Sequence, residues 1–222
     1  MHISDATVGV LVENQYQEIE FWYPVLRFRE MGANVIVIGP SADAVYGSKL
    51  GHPVRPEFAV GDVRPEDLDA VLIPGGFAPE ALRRNAGVLD LVRAVHDRGA
   101  VVGAVCHAGW VLASAGLAKG RRLTSVSVIR DDMVNAGAQY LEDAVVRDGN
   151  LVTARLPNDV GSWCREIHAA IEDLPARPAR SRPLTPTRRV SAVYDLPVRV
   201  KQRAVAPGSA NYTQYAAAGE PA

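Results

Sequence analysis

The stretch Ala100-Val-Val-Gly-Ala-Val105, running directly into Cys106-His-Ala-Gly109, decides the fold. Six uncharged, Val-rich residues in a row read as a strand buried on both faces, as the interior strands of a parallel sheet are. Gly99, just before them, marks the end of a preceding helix. Residues 110–115, beginning at Trp110, read as the helix that follows. A strand that passes straight into a helix needs a sharp turn, and Cys106 stands at it. The residues two before and two after are Ala104 and Ala108. An elbow that exposes a nucleophile crowds those two positions, so both must be small. Open α/β sheets bind ligands just beyond the carboxyl ends of their strands, which is where Cys106 lies.

The same pattern recurs on both sides. Upstream, Asp69-Ala-Val-Leu-Ile73 is a buried strand ending in Pro74-Gly75-Gly76, with helices predicted over residues 79–85 and 88–98. Thr7-Val-Gly-Val-Leu-Val12 and Asn34-Val-Ile-Val-Ile-Gly39 are two more strands. Between them Ile19, Phe21, Trp22, Val25, Leu26 and Phe28 recur at helical spacing, closed by Gly32. Residues 40–65, with several Gly and Pro, look like a hairpin excursion. Downstream, residues 145–153 give two short strands about the turn Asp148-Gly149. Residues 159–173 form an amphipathic helix with Val160, Trp163, Ile167 and Ile171 on one stripe. Strands alternating with helices imply an α/β domain whose parallel sheet is covered on both faces.

Composition bounds the function. The chain has 222 residues, 48% hydrophobic and 22% charged, enough for a substantial core. No apolar run approaches the roughly 18 residues of a membrane span, and the N-terminus has no secretory pattern. Two cysteines, Cys106 and Cys164, exclude a disulfide scaffold and point to a reducing cytoplasm. Net charge is −1 but uneven: eight basic and two acidic residues from position 174 onward against 16 and 23 before it, so +6 against −7. An acidic body is not the footprint of a nucleic-acid reader. The chain divides into an α/β domain over residues 1–174 and a Pro/Arg-rich extension over residues 175–222. That extension has seven prolines and reads either as a disordered tail or as an arm, with Leu196, Val198 and Val200 alternating as in a strand.

The residues sketch a site. A helix starting at Cys106 would aim its free N–H groups at the sulfur and favour thiolate. Gly75 and Gly76, ending the neighbouring strand, let backbone N–H groups approach a ligand and, with the amide of His107, can form an oxyanion hole. Trp22 and Trp110 stand near enough in sequence to line a pocket. Cys164 reads as a packed thiol. His2, His52 and His96 make no metal-ligand spacing with the cysteines, and no Walker loop or G-x-G-x-x-G occurs, so neither a metal nor another cofactor is expected.

In combination, Glu20-Phe-Trp-Tyr-Pro24, Leu72-Ile-Pro-Gly-Gly-Phe-Ala-Pro-Glu80, Ala104-Val-Cys-His-Ala-Gly109 and Asp131-Asp-Met-Val-Asn-Ala-Gly137 resemble the PfpI/ThiJ (DJ-one) superfamily over roughly residues 7–173. The Cys-His pair resembles its PfpI branch. The resemblance implies a flavodoxin-like three-layer α/β sandwich that forms homodimers or higher homo-oligomers. It implies Cys106 as nucleophile, His107 as base or positioning group, and Glu20 as a helix acid touching the sulfur. It also implies Glu80 as an acid brought to His107 of an adjacent subunit. A Glu20 that touches a thiolate must be protonated, because a carboxylate there would raise the thiol pKa. The implied activity is that of a cofactor-independent cysteine hydrolase or lyase acting on a small carbonyl-type electrophile, in the manner of a glyoxalase or deglycase. Intracellular peptidase and isocyanide hydratase activities share the chemistry, and a non-enzymatic cysteine oxidation sensor is the other class. The chain departs from the pattern at Ser125-Val126-Ser127, where relatives carry Ser-Tyr-Pro, at Gln17, where many have a second acid, and at Trp110, where Gln is common. These changes leave room for a larger organic substrate, as in a specialised biosynthetic pathway.

Overall fold

The computed structural model describes residues 1–176 and 184–186. Its elements in chain order are β1 (Thr7–Leu11), α1 (Glu18–Glu30), β2 (Asn34–Gly39), the two-residue strands β3 (Tyr46–Gly47) and β4 (Pro53–Val54), and β5 (Phe58–Ala59). There follow β6 (Ala70–Ile73), α2 (Ala78–Leu82), α3 (Ala86–Asp97), β7 (Val101–Val105), α4 (Gly109–Ser114), β8 (Arg122–Leu123), α5 (Arg130–Asn135) and β9 (Gln139–Tyr140). The last three are β10 (Val145–Asp148), β11 (Leu151–Ala154) and α6 (Val160–Glu172).

Seven strands form one sheet in the order β10-β11-β7-β6-β1-β2-β5, parallel throughout except for the antiparallel edge pair β10–β11. β1, β6 and β7 are buried along their whole length, as their unbroken apolar runs require. From β1 the chain steps one way to β2 through α1. From β6 it steps the other way to β7 through α3. Right-handed crossovers in opposite directions put α1 and α3 on opposite faces. α6 packs beside α1, completing a three-layer flavodoxin-like sandwich. Gly103 lets α6 press onto β7: a methyl group there would lie 2.7 Å from Leu72 Cδ2 and 2.9 Å from Trp163 Cζ2. The Trp163 indole N–H donates to the Val152 carbonyl at 3.1 Å, so the largest buried side chain of α6 leaves no polar atom unpaired.

Several elements differ from the sequence-based expectation. Residues 40–65 contain the expected hairpin, β3–β4, but they also add β5 to the sheet edge through Ile38–Phe58 and Gly39–Ala59 pairing. A two-residue strand carries no periodicity to read. The helix expected at residues 79–85 ends at Leu82, and the parallel pair β8–β9 was not foreseen. Cys106–Ala108 is a 3-10 turn, with the α-helix proper beginning at Gly109. Of the extension, Leu184 packs on the core and its carbonyl accepts from Asn34 Nδ2 at 3.0 Å. The alternating stretch at Leu196, Val198 and Val200 lies outside the described residues. Among the described residues no helix is long and apolar enough to cross a membrane.

Candidate active site

Because β1, β6 and β7 are parallel, the loops after Leu11, Ile73 and Val105 emerge at one edge of the sheet. Cys106 follows β7 with a φ of +61°, in the left-handed region that side chains other than glycine seldom adopt. Such local strain, held by a rigid strand on one side and a helix on the other, is a mark of functional sites. Its sulfur lies 3.4 Å from His107 Nδ1.

Glu20 reaches the same place from the first turn of α1. The Gln17 side chain caps that helix, accepting from the Glu20 amide at 2.9 Å. A carboxylate oxygen could accept the same amide, so the cap does not explain why Gln17 stands where a second acid was expected. The Glu20 carboxyl is fully buried, and Oε2 accepts the Gly75 amide at 2.8 Å. Burial pushes its pKa up to about 7, against the amide of Gly75, the Cys106 thiol and the positive charge of Lys49. Near neutrality a carboxyl so placed is divided between its protonated and charged forms.

The two glycines do different work. The Gly75 amide is committed to Glu20, so it is not available to an oxyanion, which corrects the expectation that both glycines serve that purpose. A methyl group on Gly75 would lie 2.6 Å from both Cys106 Cβ and Glu20 Oε2. Gly76, at φ +74°, closes against Gln15 and Gln17, and its amide, with that of His107, addresses the sulfur.

Burial pushes the Cys106 thiol up to about 12, the Glu20 charge adds to the rise, and the Gly76 and His107 amides oppose it. The helix was expected to favour thiolate by its dipole. α4 has only six residues and starts three positions after the cysteine, so little dipole bears on the sulfur. Protonation of Glu20 removes the carboxylate's share of the rise. His107 is held below its usual range by burial and then by Lys49, which favours the neutral imidazole.

The remaining candidates fall as follows. Trp110 leans on His107, with ring centroids 5.1 Å apart, and its N–H donates to Asp132. Trp22 instead meets Phe21 and His52 of the hairpin. Glu80 is exposed at the start of α2, and among the described residues no hydrogen bond or ion pair joins it to His107. Val126, where the resemblance implied a tyrosine, donates its amide to the Cys106 carbonyl at 3.5 Å, and the Tyr140 hydroxyl donates to the Ser125 carbonyl beside it. Cys164 is buried on α6, its thiol pushed up to about 12 by burial. Among the described residues no cluster of His, Cys, Asp and Glu could hold a metal ion.

Sequence reasoning passed over Phe77 and Lys49. Phe77, half exposed, stacks on His107 at 5.7 Å, and the Lys49 ammonium stands 5.4 Å from the Phe77 centroid. Phe77 adjoins the Gly-Gly loop, so its place was open to inspection. Lys49 comes from a distant hairpin and gave no signal.

Known proteins share much of this sequence and fold. The chain is 38% identical to the deglycase PfpI of Pyrococcus furiosus over 157 residues, covering 71% of this chain and 94% of the relative. It is 38% identical to YraA of Bacillus subtilis, whose name carries a provisional cysteine-protease assignment, over 72% of this chain and 94% of that one. Among solved structures, Drosophila melanogaster DJ-1beta superposes with a TM-score of 0.69 at 27% identity, over 76% of this chain and 94% of the other. A two-domain protein of Anabaena variabilis, with DJ-1/ThiJ/PfpI-like and ferritin-like domains, gives 0.74 at 34% identity over 75% of this chain, which spans 48% of that protein. The DJ-1/PfpI family model matches residues 6–170. The chain belongs to the DJ-1/PfpI family.

Proposed function

We propose that the protein is a cofactor-independent cysteine enzyme acting on a small carbonyl-type electrophile, with deglycase-like or glyoxalase-like outcome. The observation that carries this reading is the strained Cys106 elbow with a neutral imidazole nitrogen 3.4 Å from its sulfur. The names of relatives at 38% identity lend it support.

The chemistry follows from the arrangement. His107 Nδ1 takes the thiol proton as the sulfur adds to the carbonyl carbon. The carbonyl oxygen becomes an oxyanion facing the Gly76 and His107 amides, which are already oriented. Glu20, neutral, holds a proton beside the sulfur without adding a negative charge. His107 then returns the proton to oxygen, giving a hemithioacetal. For a 2-oxoaldehyde, a proton shift from the thiol-bearing carbon to its neighbour yields a thioester. Water then cleaves it to a hydroxy acid and free thiol, a redox-neutral sequence overall.

A panel of methylglyoxal, its adducts with N-acetylated cysteine and arginine, and an unstructured peptide tests the reading, with products identified by nuclear magnetic resonance. Turnover of a carbonyl or its adduct that falls on His107→Ala supports it. Turnover of the peptide alone would move the assignment to a peptidase. No turnover of any member by protein with reduced Cys106, together with stoichiometric oxidation of Cys106 unaffected by His107→Ala, would replace the enzyme with a redox sensor.

A further inference from the structure

The hairpin that carries Lys49 is tied to the Gly-Gly loop beside the cysteine elbow through a short ladder of hydrogen bonds. The Gln15 amide donates to the Gly47 carbonyl at 2.6 Å and the Lys49 amide to the Tyr16 carbonyl at 3.0 Å. The Leu50 amide donates to Glu18 Oε1 at 2.7 Å, and the Tyr16 hydroxyl to the His52 carbonyl at 2.8 Å. On its other side the 15–17 segment binds the Gly-Gly loop: Gln17 N donates to Gly75 O at 3.2 Å, and Phe77 N to Gln15 O at 2.9 Å. Hairpin, strap and oxyanion loop are therefore one unit, and Lys49 is held on both flanks where its ammonium overhangs Phe77.

From there a row of rings leads across the site. Phe77 stacks on His107 at 27° between planes, His107 leans on Trp110, and the Arg83 guanidinium stands 5.8 Å from the Trp110 centroid. The two cations ending the row are not equivalent. Arg83 is tied through Nε to Ser114, and the Trp110 beneath it donates to the Asp132 carboxylate, so negative charge is already at hand. Lys49 makes no ion pair among the described residues. Glu18 Oε1 accepts the Leu50 amide without pairing to the Lys49 ammonium, and Glu20 is buried. The charge of Lys49 is felt at both groups beside the sulfur, His107 and Glu20. A neutral substrate would leave this field and the exposed Phe77 face unused.

We infer that the electrophile taken by Cys106 carries a carboxylate or similar oxyanion, with the Lys49 ammonium as its counter-charge and the exposed face of Phe77 beneath it. This rests on the reading of Cys106 as the nucleophile. It selects carbonyl compounds bearing an acid group, such as oxo acids and carbonyl adducts of free amino acids, over neutral aldehydes. Lys49 is a specificity-determining residue in this arrangement. It acts on approach and positioning, through KM, and takes no proton in the reaction.

Two alkylating agents of nearly equal size test it without requiring turnover. Iodoacetate is an anion, iodoacetamide is neutral, and both transfer a carbon to sulfur with loss of iodide. The ratio of their rates at Cys106, read by peptide mass, is measured in the full chain, in Lys49→Met, in Lys49→Glu and in the charge-matched control Lys119→Met. A single exposed counter-charge should favour iodoacetate in the native chain about three- to fivefold relative to Lys49→Met at low salt. Lys49→Glu should lower the ratio further, Lys119→Met should leave it unchanged, and rising salt should bring the native ratio down to that of Lys49→Met. Equal ratios in the native chain and Lys49→Met, with Cys106 alkylated in both, would overturn the inference and leave the nucleophile in place. No alkylation of Cys106 by either reagent in the folded protein would overturn both.

Discussion

Glu20 and Cys106 meet across Gly75. The glycine amide is held by the Glu20 carboxyl at 2.8 Å, and the space where a side chain would grow is already taken by Cys106 Cβ and Glu20 Oε2, each 2.6 Å from a built methyl carbon. Acid and thiol thus converge on a residue with no side chain, and the site depends on three elements: α1, the loop after β6, and the elbow after β7.

Gly75→Ala is expected to force these apart. The overlap is with short, buried groups and with the Val105 carbonyl, 2.9 Å away, so nothing can swing clear. The cost is about 1–3 kcal/mol of stability. Thermal melting should show the loss, and alkylation of Cys106 in the folded variant should change rate, whereas Gly99→Ala should leave that rate unchanged. An unaltered rate in Gly75→Ala would show that acid and thiol do not share this space.

The raised pKa of Glu20 sets a pH dependence of stability. Its folded value of about 7 exceeds the ordinary 4.5, so folding takes up a proton between these values. The stabilisation is fully present below about pH 4.5 and is lost as pH rises through 7, amounting to about 3 kcal/mol. Glu20→Gln cannot ionise, so from pH 5 to pH 8 the native chain should lose several degrees in melting temperature relative to it. Parallel curves would show that Glu20 is ionised in the fold.

Glu20 should also govern the thiol. Glu20→Gln keeps a donor and removes the charge that raises Cys106, whereas Glu20→Ala removes the donor and leaves a void. The Gln variant should hold the lower thiol pKa and more activity in pH-resolved alkylation. Identical profiles for both variants and the native chain would separate Glu20 from the sulfur.

Most of the fold was legible in the sequence, for a physical reason. β1, β2, β6 and β7 lie inside the sheet, and near-continuous burial leaves uncharged runs that declare themselves. The elbow was legible because crowding forces Ala104 and Ala108 to be small. Lys49 was not legible: its place depends on backbone pairing of two-residue strands with a strap thirty positions away, which needs no particular side chain. Nor was the pKa of Cys106, since burial beside a carboxyl outweighs a dipole that the sequence suggested and the short α4 does not supply.

The extension has an anchor that truncation can find. Leu184 packs on the core and accepts a hydrogen bond from Asn34, at the start of β2. Ending the chain at residue 176 rather than 186 should cost about 1 kcal/mol and lower the melting temperature by about 2–4 °C. Equal melting of the two truncations would show that Leu184 does not stabilise the body.

Relative thiol reactivity is a further check. Both thiols are pushed up to about 12 by burial, but two amides and His107 address Cys106, whereas Cys164 has only the charge of Arg27 opposing its burial. Cys106 should be alkylated first at neutral pH, and peptide mapping that finds Cys164 first would contradict the elbow's role.

Attack of the Cys106 sulfur on a carbonyl is read most directly from conversion of a 2-oxoaldehyde to its hydroxy acid by the native chain and by Cys106→Ala, compared at matched folding. The native chain should turn it over without added metal or cofactor, with a loss of at least about a hundredfold in kcat/KM on replacing the sulfur. Equal rates from the two proteins would contradict it.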